Sequence, residues 1–157
     1  ELGHTVIDIN GPLCACGRRG CLETFISPAS LTRRIRDKVE KDRAKRLAPL
    51  LAAGVEVDPE LIYRMAREGD PDCRGIVGDL VYYLGIGIGN LVNVFNPDQV
   101  VLCGAIEVVN EDLLTVLRKE IERQCLPQSW KSLEVRLSKH AERSALRVRR
   151  CMPRRTT

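Results

Sequence analysis

Aromatic side chains are scarce in this chain of 157 residues: two Phe, three Tyr and one Trp, 4% of the total. So few rings leave no run of stacking faces on which single-stranded nucleic acid could lie. No continuous apolar stretch approaches the roughly 18 residues of a membrane span, so no membrane partner is expected. A positively charged start followed by an apolar segment is also lacking. Nothing therefore directs the chain to export, and a cytoplasmic setting is expected.

What is present suits a globular domain. The length is one domain's worth of chain. Hydrophobic residues make up 44% and charged residues 29%, enough of each for a core and a solvated surface. Net charge is +4, and five arginines fall in the last eleven residues, Arg147 to Thr157. A basic end can bind nucleic acid, but a solvated tail is the simpler reading.

The densest chemistry lies in the first 23 residues, E-L-G-H-T-V-I-D-I-N-G-P-L-C-A-C-G-R-R-G-C-L-E. His4, Cys14, Cys16 and Cys21 offer one imidazole and three thiolates, the ligand set of a closed Cys3His zinc site. Pro12 bends the chain ahead of the cysteines, and Gly11, Gly17 and Gly20 permit a tight loop. Glu1 and Glu23 bracket the segment. Other readings compete. Free cysteines often serve as small buried hydrophobes. Cys14 and Cys16 sit too close in sequence to pair comfortably, and seven cysteines leave one over. A catalytic thiol would need a base, for which this segment offers only His4. Zinc is the favoured reading, and a reduced thiol cluster is the alternative.

The rest of the chain reads as mixed α/β. Thr5 to Ile9 is rich in β-branched residues and is expected to be a strand feeding the loop. Ser27-Pro28 supplies an N-cap followed by proline at the first helical position, and the helix should run to Asp37 or beyond. Residues 33–46 mix both signs of charge, which favours a solvent-exposed helix face over a nucleic-acid helix. Asp58-Pro59 and Asp70-Pro71 repeat the helix-start device, and Leu61, Ile62 and Met65 form a small apolar face between them. A long helix is expected from Pro71 to Phe95. Gly85, Gly87 and Gly89 interrupt its apolar run instead of linking a strand to a helix, so they indicate close packing and not a dinucleotide loop. Asn96-Pro97 should stop it. A strand over Gln99–Leu102 ending in Cys103-Gly104, a helix over Glu111–Gln124 and a strand over Leu133–Leu137 complete the reading.

Glu1-x-Gly3-His4, followed by Cys14-x-Cys16-Gly17-x-x-Gly20-Cys21-x-Glu23, resembles the signature of the ROK family (repressors, open reading frames and sugar kinases). G-N-L-V-N-V-F-N-P-D-Q-V-V-L-C-G, over residues 89–104, resembles the family's helix–Asn-Pro–strand–Gly unit. The resemblance implies zinc held by His4, Cys14, Cys16 and Cys21, and sugar hydroxyls met by Glu1, His4 and Glu23. It also implies the C-terminal portion of an actin-like, ribonuclease H-like sugar-kinase fold, with the N-terminal domain missing. Residues 1–146 would be the sugar-binding part, with its zinc loop at 3–23, and 147–157 a basic tail outside the family pattern. After Leu146 the family continues into an apolar helix, whereas R-V-R-R-C-M-P-R-R-T-T cannot form one; a truncated or frame-shifted reading frame is the expectation.

Two kinds of parent follow from the resemblance. Family kinases carry an Asp-x-Gly-Gly phosphate motif and a catalytic Asp upstream of the Glu-x-Gly-His segment. Neither falls within this sequence, so no catalytic residue is assigned and no phosphoryl transfer is expected of the chain alone. Gly104 stands where kinase glycines approach the nucleotide, and ATP with Mg2+ would be needed only by a kinase parent. Family repressors bind DNA through an N-terminal helix-turn-helix, so DNA would be a partner only through a missing domain. Glu142-Arg143-Ser144-Ala145 replaces the kinases' Asp-Ala-Gly and favours the branch of the N-acetylglucosamine and xylose repressors. The expected ligand is a hexose or amino-sugar, and the full-length parent is expected to be a homo-oligomer. A zinc-stabilised module with no ligand would leave Glu1 and Glu23 without a role.

Overall fold

Three of the longer helices begin where a side chain satisfies their first free amides. The computed structural model describes residues 1–41, 46–55, 57–102, 111–138 and 147–149. Its helices are α1 (Glu23–Ile26), α2 (Pro28–Glu40), α3 (Leu47–Ala52), α4 (Pro59–Arg67), α5 (Pro71–Phe95), α6 (Glu111–Gln124) and α7 (Pro127–Lys131). Three short strands are β1 (Gln99–Leu102), β2 (Glu134–Leu137) and β3 (Arg147–Arg149). The chain divides into two units, Glu1–Gly87 and Ile88–Thr157, and α5 contributes to both.

In the first unit, the Ser27 hydroxyl accepts from the Ser30 amide at 3.2 Å and opens α2. Asp58 Oδ1 accepts from the Leu61 amide at 2.8 Å and opens α4. Asp70 Oδ1 accepts from the amides of Asp72 (3.1 Å) and Cys73 (2.9 Å) and opens α5. Each cap precedes a proline, whose missing N–H costs nothing at a first helical position. Helix α2 exposes Arg33, Arg36 and Asp37 while burying Leu31 and Ile35, so its charges form a solvated face as anticipated. Ile35, Leu47, Ile62 and Ile76 are all but fully buried and form the core of this unit. Lys38 on α2 pairs with Asp72 on α5 at 3.4 Å.

In the second unit the sheet order is β2-β1-β3. Strands β1 and β2 are parallel with Val100 opposite Val135, and α6 lies in the connection between them, as a parallel pair requires. Val100, Leu102, Leu114, Leu117 and Ile121 are buried. The Arg118 guanidinium donates twice to the Val135 carbonyl, at 2.7 and 3.2 Å, and ties α6 to β2. Asn96 ends α5 in the left-handed region (φ 43°), a conformation Asn tolerates, and Pro97 cannot continue the helix. A Cβ on Gly89 would fall on the Gln124 side chain, so this glycine does serve close packing.

Several expectations change. Thr5–Ile9 is not a strand. Val6 makes a single bridge to Cys21, after which the Gly11 amide donates to the Asp8 carbonyl at 3.0 Å and turns the chain. One bridge and a turn hold this segment where β-branched composition suggested a ladder. The short helices α3 and α7 carry too few residues to show a period. The strand expected from Leu133 starts at Glu134. Arg147–Arg149, expected to be tail, pairs antiparallel with β1. Gly104, residues 139–146 with their Arg143-Ser144-Ala145 signature, and residues 150–157 lie outside the described part. Helix α5 is also long and apolar enough to cross a membrane by length and composition, although Gly and single polar residues break its apolar run. Some 56% of its most apolar 18-residue stretch is buried inside the protein, as in a core helix.

The two aspartate caps separate cap strength from burial. Asp70 is 3% exposed and makes two cap bonds, whereas Asp58 is exposed and makes one. Asp70→Ala is expected to lower unfolding free energy by about 1–2 kcal/mol and Asp58→Ala by about 0.5–1 kcal/mol. Urea denaturation of both variants checks the order, and equal losses would show that burial adds nothing to the cap.

Candidate metal centre

The Cys-rich segment is two passes of backbone held against each other. The Ile7 amide donates to the Gly20 carbonyl at 2.9 Å and the Leu22 amide to the Thr5 carbonyl at 2.9 Å. Within the second pass the Cys14 amide donates to the Arg18 carbonyl (2.8 Å) and the Gly17 amide to the Cys14 carbonyl (2.9 Å), closing the Cys-x-Cys-Gly turn. Gly20 has φ +67°, and a Cβ there would overlap the Asp8 carbonyl. The first pass places His4 at the end of a 3-10 turn (Leu2–His4), and the second presents the three cysteines to it.

One donor atom from each of His4, Cys14, Cys16 and Cys21 lies within 4.8 Å of all the others. Cys14 Sγ is 3.6 Å from His4 Nδ1, and Cys16 Sγ is 3.6 Å from Cys21 Sγ. A tetrahedron of metal–sulfur bonds near 2.3 Å would set its sulfurs roughly 3.8 Å apart. The donors thus already stand close to the spacing that a four-coordinate ion demands, and the soft sulfur set suits such an ion. The four residues singled out from spacing alone are brought together.

The sulfurs are not equivalent. The Arg18 backbone N–H and its guanidinium both bond Cys16, with help from Cys21 and Cys14, and hold the Cys16 thiol down at about 6. Burial pushes the Cys21 thiol up to about 11, reinforced by the hydrogen bonds and charges of Cys16 and Cys14. Cys16 is therefore a thiolate at neutral pH while Cys21 keeps its proton. A bound dication would release that proton. Arg18 was not foreseen as a participant; the one hint is a basic pair inside the turn that carries the cysteines.

Both predicted acids flank the imidazole. Glu23, the first residue of α1, places Oε2 at 3.4 Å from His4 Nδ1. Glu1 places Oε2 at 3.8 Å from Nε2. Glu1 is 92% exposed, Glu23 51% and His4 32%, so this edge of the cluster faces solvent and can receive a polar ligand. Gly104, expected near a nucleotide, lies outside the described residues.

In metal-free reduced protein, Cys16 is expected to alkylate with a midpoint near pH 6 and Cys21 only toward pH 11. Arg18→Ala should raise the Cys16 midpoint partway to the ordinary thiol value of about 8.5, because the backbone N–H remains. Mass-spectrometric mapping of iodoacetamide adducts against pH checks both. Equal midpoints for the two cysteines would show that the Arg18 contacts do not differentiate them.

The chain is similar to regulators and to kinases alike. It is 32% identical over 146 residues to the xylose repressor of Caldicellulosiruptor bescii, covering 93% of this chain and 36% of that protein. It is 31% identical over 135 residues to the glucokinase of Thermotoga maritima, covering 86% of this chain and 43% of that one. The chain thus spans less than half the length of either relative. Among solved structures, a ROK family transcriptional regulator homologous to the Escherichia coli MLC protein superimposes with a TM-score of 0.76 at 31% identity, over 87% of this chain and 34% of that chain. A ROK family glucokinase from Streptomyces griseus, in complex with glucose and AMPPNP, shares the fold with a TM-score of 0.71 at 24% identity, over 87% of this chain and 45% of that chain. The α/β fold, the paired Glu-x-Gly-His and Cys-x-Cys segments and a family match over residues 1–148 agree: the chain belongs to the ROK family.

Proposed function

We propose that this chain is the zinc-bearing, sugar-contacting part of a ROK-family transcriptional repressor, and that its effector is a hexose or amino-sugar. The observation that carries the reading is the position of His4, with one ring nitrogen against the Cys14 sulfur and both ring nitrogens within 3.8 Å of a carboxylate. Zinc, held by His4, Cys14, Cys16 and Cys21, supplies a fixed cross-link between the two passes of the loop. Nδ1 is the nitrogen beside the Cys14 sulfur, which leaves Nε2 to face a sugar hydroxyl together with Glu1. Glu23 accepts further hydroxyl protons from the start of α1. Carboxylates suit this task because each can accept several hydrogen bonds, and charge-assisted ones are the strong kind. Holding the acids and the imidazole rigid before the sugar arrives lowers the entropic cost of binding. The xylose repressor and the glucokinase among the relatives support a sugar as the ligand class. The broad coverage by the xylose repressor supports a regulator as parent.

A second reading is part of an ATP-dependent hexokinase of the glucokinase type, which the Thermotoga maritima relative supports. ATP, Mg2+ and a catalytic base would then be required beyond the residues assigned in this chain. The two readings part in the full-length protein. A repressor shows DNA retardation that a sugar modulates, whereas a kinase shows ATP-dependent sugar phosphorylation.

Two outcomes test the site. Purified reduced protein is expected to hold one zinc per chain, and Cys14→Ser to lose it, by elemental analysis. Loss of the metal should destabilise the 3–23 loop, since structural zinc supplies on the order of 10 kcal/mol of linked folding free energy. Glu23→Gln in the full-length protein should keep its zinc and weaken glucose or N-acetylglucosamine binding by about 1.5–3 kcal/mol, roughly ten- to a hundred-fold. Calorimetric titration with zinc content measured alongside reads both. Unchanged affinity would remove Glu23 from the sugar site, and joint loss of zinc and affinity would make its role structural.

A further inference from the structure

Helix α1 is only four residues long, too short to fix its own orientation. Yet it carries Glu23 beside His4. What orients it is a set of contacts made by the residues on either side of the acid in sequence. Leu22, just before the helix, is 1% exposed, and a Cβ added to Gly87 of α5 would fall among the Leu22 Cγ, Cδ1 and Cδ2 atoms. Only a residue without a side chain lets Leu22 lie this close to α5. One helical turn earlier on the same helix, the Tyr83 ring lies 4.2 Å from the Phe25 ring, centroid to centroid, with the planes 30° apart. The outer face of the pair is set as well. The Arg34 guanidinium sits 5.4 Å from the Tyr83 centroid, and its Nη1 is 3.6 Å from Asp79. On the loop side, a Cβ on Gly11 would meet the tip of the Phe25 ring at 2.8 Å. Arg33 of α2 donates to the Thr24 carbonyl at 3.2 Å, between the two anchors.

Gly87 and Tyr83 are four apart and therefore share one face of α5. Leu22 and Phe25, three apart, meet that face. Glu23 falls between them in sequence and is left pointing to His4 and solvent. We propose that the Tyr83–Gly87 face of α5 is the seat that positions the Glu23 carboxylate, so that these two positioning residues, outside the Cys3His cluster, set the affinity of the sugar site. The inference rests on the assignment of Glu23 to the sugar made above. A side chain at position 87 tips α1 about its Phe25 anchor and moves the carboxylate away from the imidazole. The metal donors, fixed by the loop's own backbone bonds, stay in place.

The test is a double-mutant cycle in the full-length protein, with glucose and N-acetylglucosamine as probes and zinc content measured throughout. Gly87→Ala is expected to keep one zinc and lose about tenfold in sugar affinity, the scale of one charge-assisted bond. Glu23→Gln in the Gly87→Ala background should then cost far less than it does alone, since both act through the same carboxylate. Leu22→Val, which removes the Cδ atoms, should restore affinity to Gly87→Ala. That rescue also guards against a variant that merely folds poorly. Tyr83→Leu should reproduce the loss without touching Leu22. Additive effects of Gly87→Ala and Glu23→Gln would overturn the proposal, as would loss of zinc in Gly87→Ala or absence of rescue by Leu22→Val. If Glu23→Gln alone leaves affinity unchanged, the sugar assignment fails first and this inference falls with it. If Glu23→Gln weakens binding while Gly87→Ala does not, only the inference falls.

Discussion

Everything at the candidate site depends on the close approach of two backbone passes at Gly20. Its left-handed backbone and missing Cβ let its carbonyl accept from the Ile7 amide while the Asp8 carbonyl occupies the space a side chain would fill. Any other residue there is strained in φ and must also push the first pass outward. His4 lies at the start of that pass, and Cys21 directly follows the glycine. Separating the passes would therefore open the distance between the imidazole and the thiols before it disturbed any helix.

The loop has little apolar burial with which to hold itself. Cys14, Cys21 and Leu22 are buried, but Val6, Ile9 and Leu13 point outward, Ile9 with 80% of its surface exposed. Ordering its backbone costs conformational entropy that so few buried side chains do not offset. The backbone bonds between passes help, though each contributes only about 1 kcal/mol net. A cross-link through four soft donors is the kind of interaction that makes up such a deficit, which gives the clustered cysteines a thermodynamic reason as well as a geometric one. Helix α1 closes the loop on its other side. Leu22 and Phe25, buried against α5, extend the loop's support to the first unit's core.

Local chemistry was legible in the sequence; contacts between distant segments were not. Ser27-Pro28, Asp58-Pro59, Asp70-Pro71 and Asn96-Pro97 each mark a helix end because proline and a short polar side chain act within a few residues of themselves. The long run from Pro71 to Phe95 carries its own period. The four residues able to hold a metal were found because their spacing is local too. The bridge that replaces a strand at Thr5–Ile9 depends on a partner some fifteen residues away. Arg18 acts on Cys16 through a turn whose shape no single residue announces. The fit of Leu22 against Gly87 joins residues 65 apart, and only the hint of a glycine in an apolar helix was visible beforehand. Residues 147–149 read as a charged tail, yet their backbone pairs with β1, because a ladder needs amides and carbonyls and not a particular side chain.

The even similarity to a repressor and to a kinase bears on what this part of the protein contributes. Identities of 32% and 31% to relatives of different function mean that the matched segment holds what those functions share. Phosphoryl transfer and DNA binding share no chemistry: one aligns phosphates and a nucleophile, the other reads grooves and backbone charge. A need to recognise a sugar is common to both. The parts of this chain that carry chemistry fit that common need. The acids and imidazole at the exposed edge can receive hydroxyls, and the thiols behind them can fix the imidazole. A sugar site shared in this way would have to be positioned by elements of the same segment. The proposed seat of α1 on α5 meets that condition, since Leu22, Phe25, Tyr83 and Gly87 all lie within Glu1–Gly87.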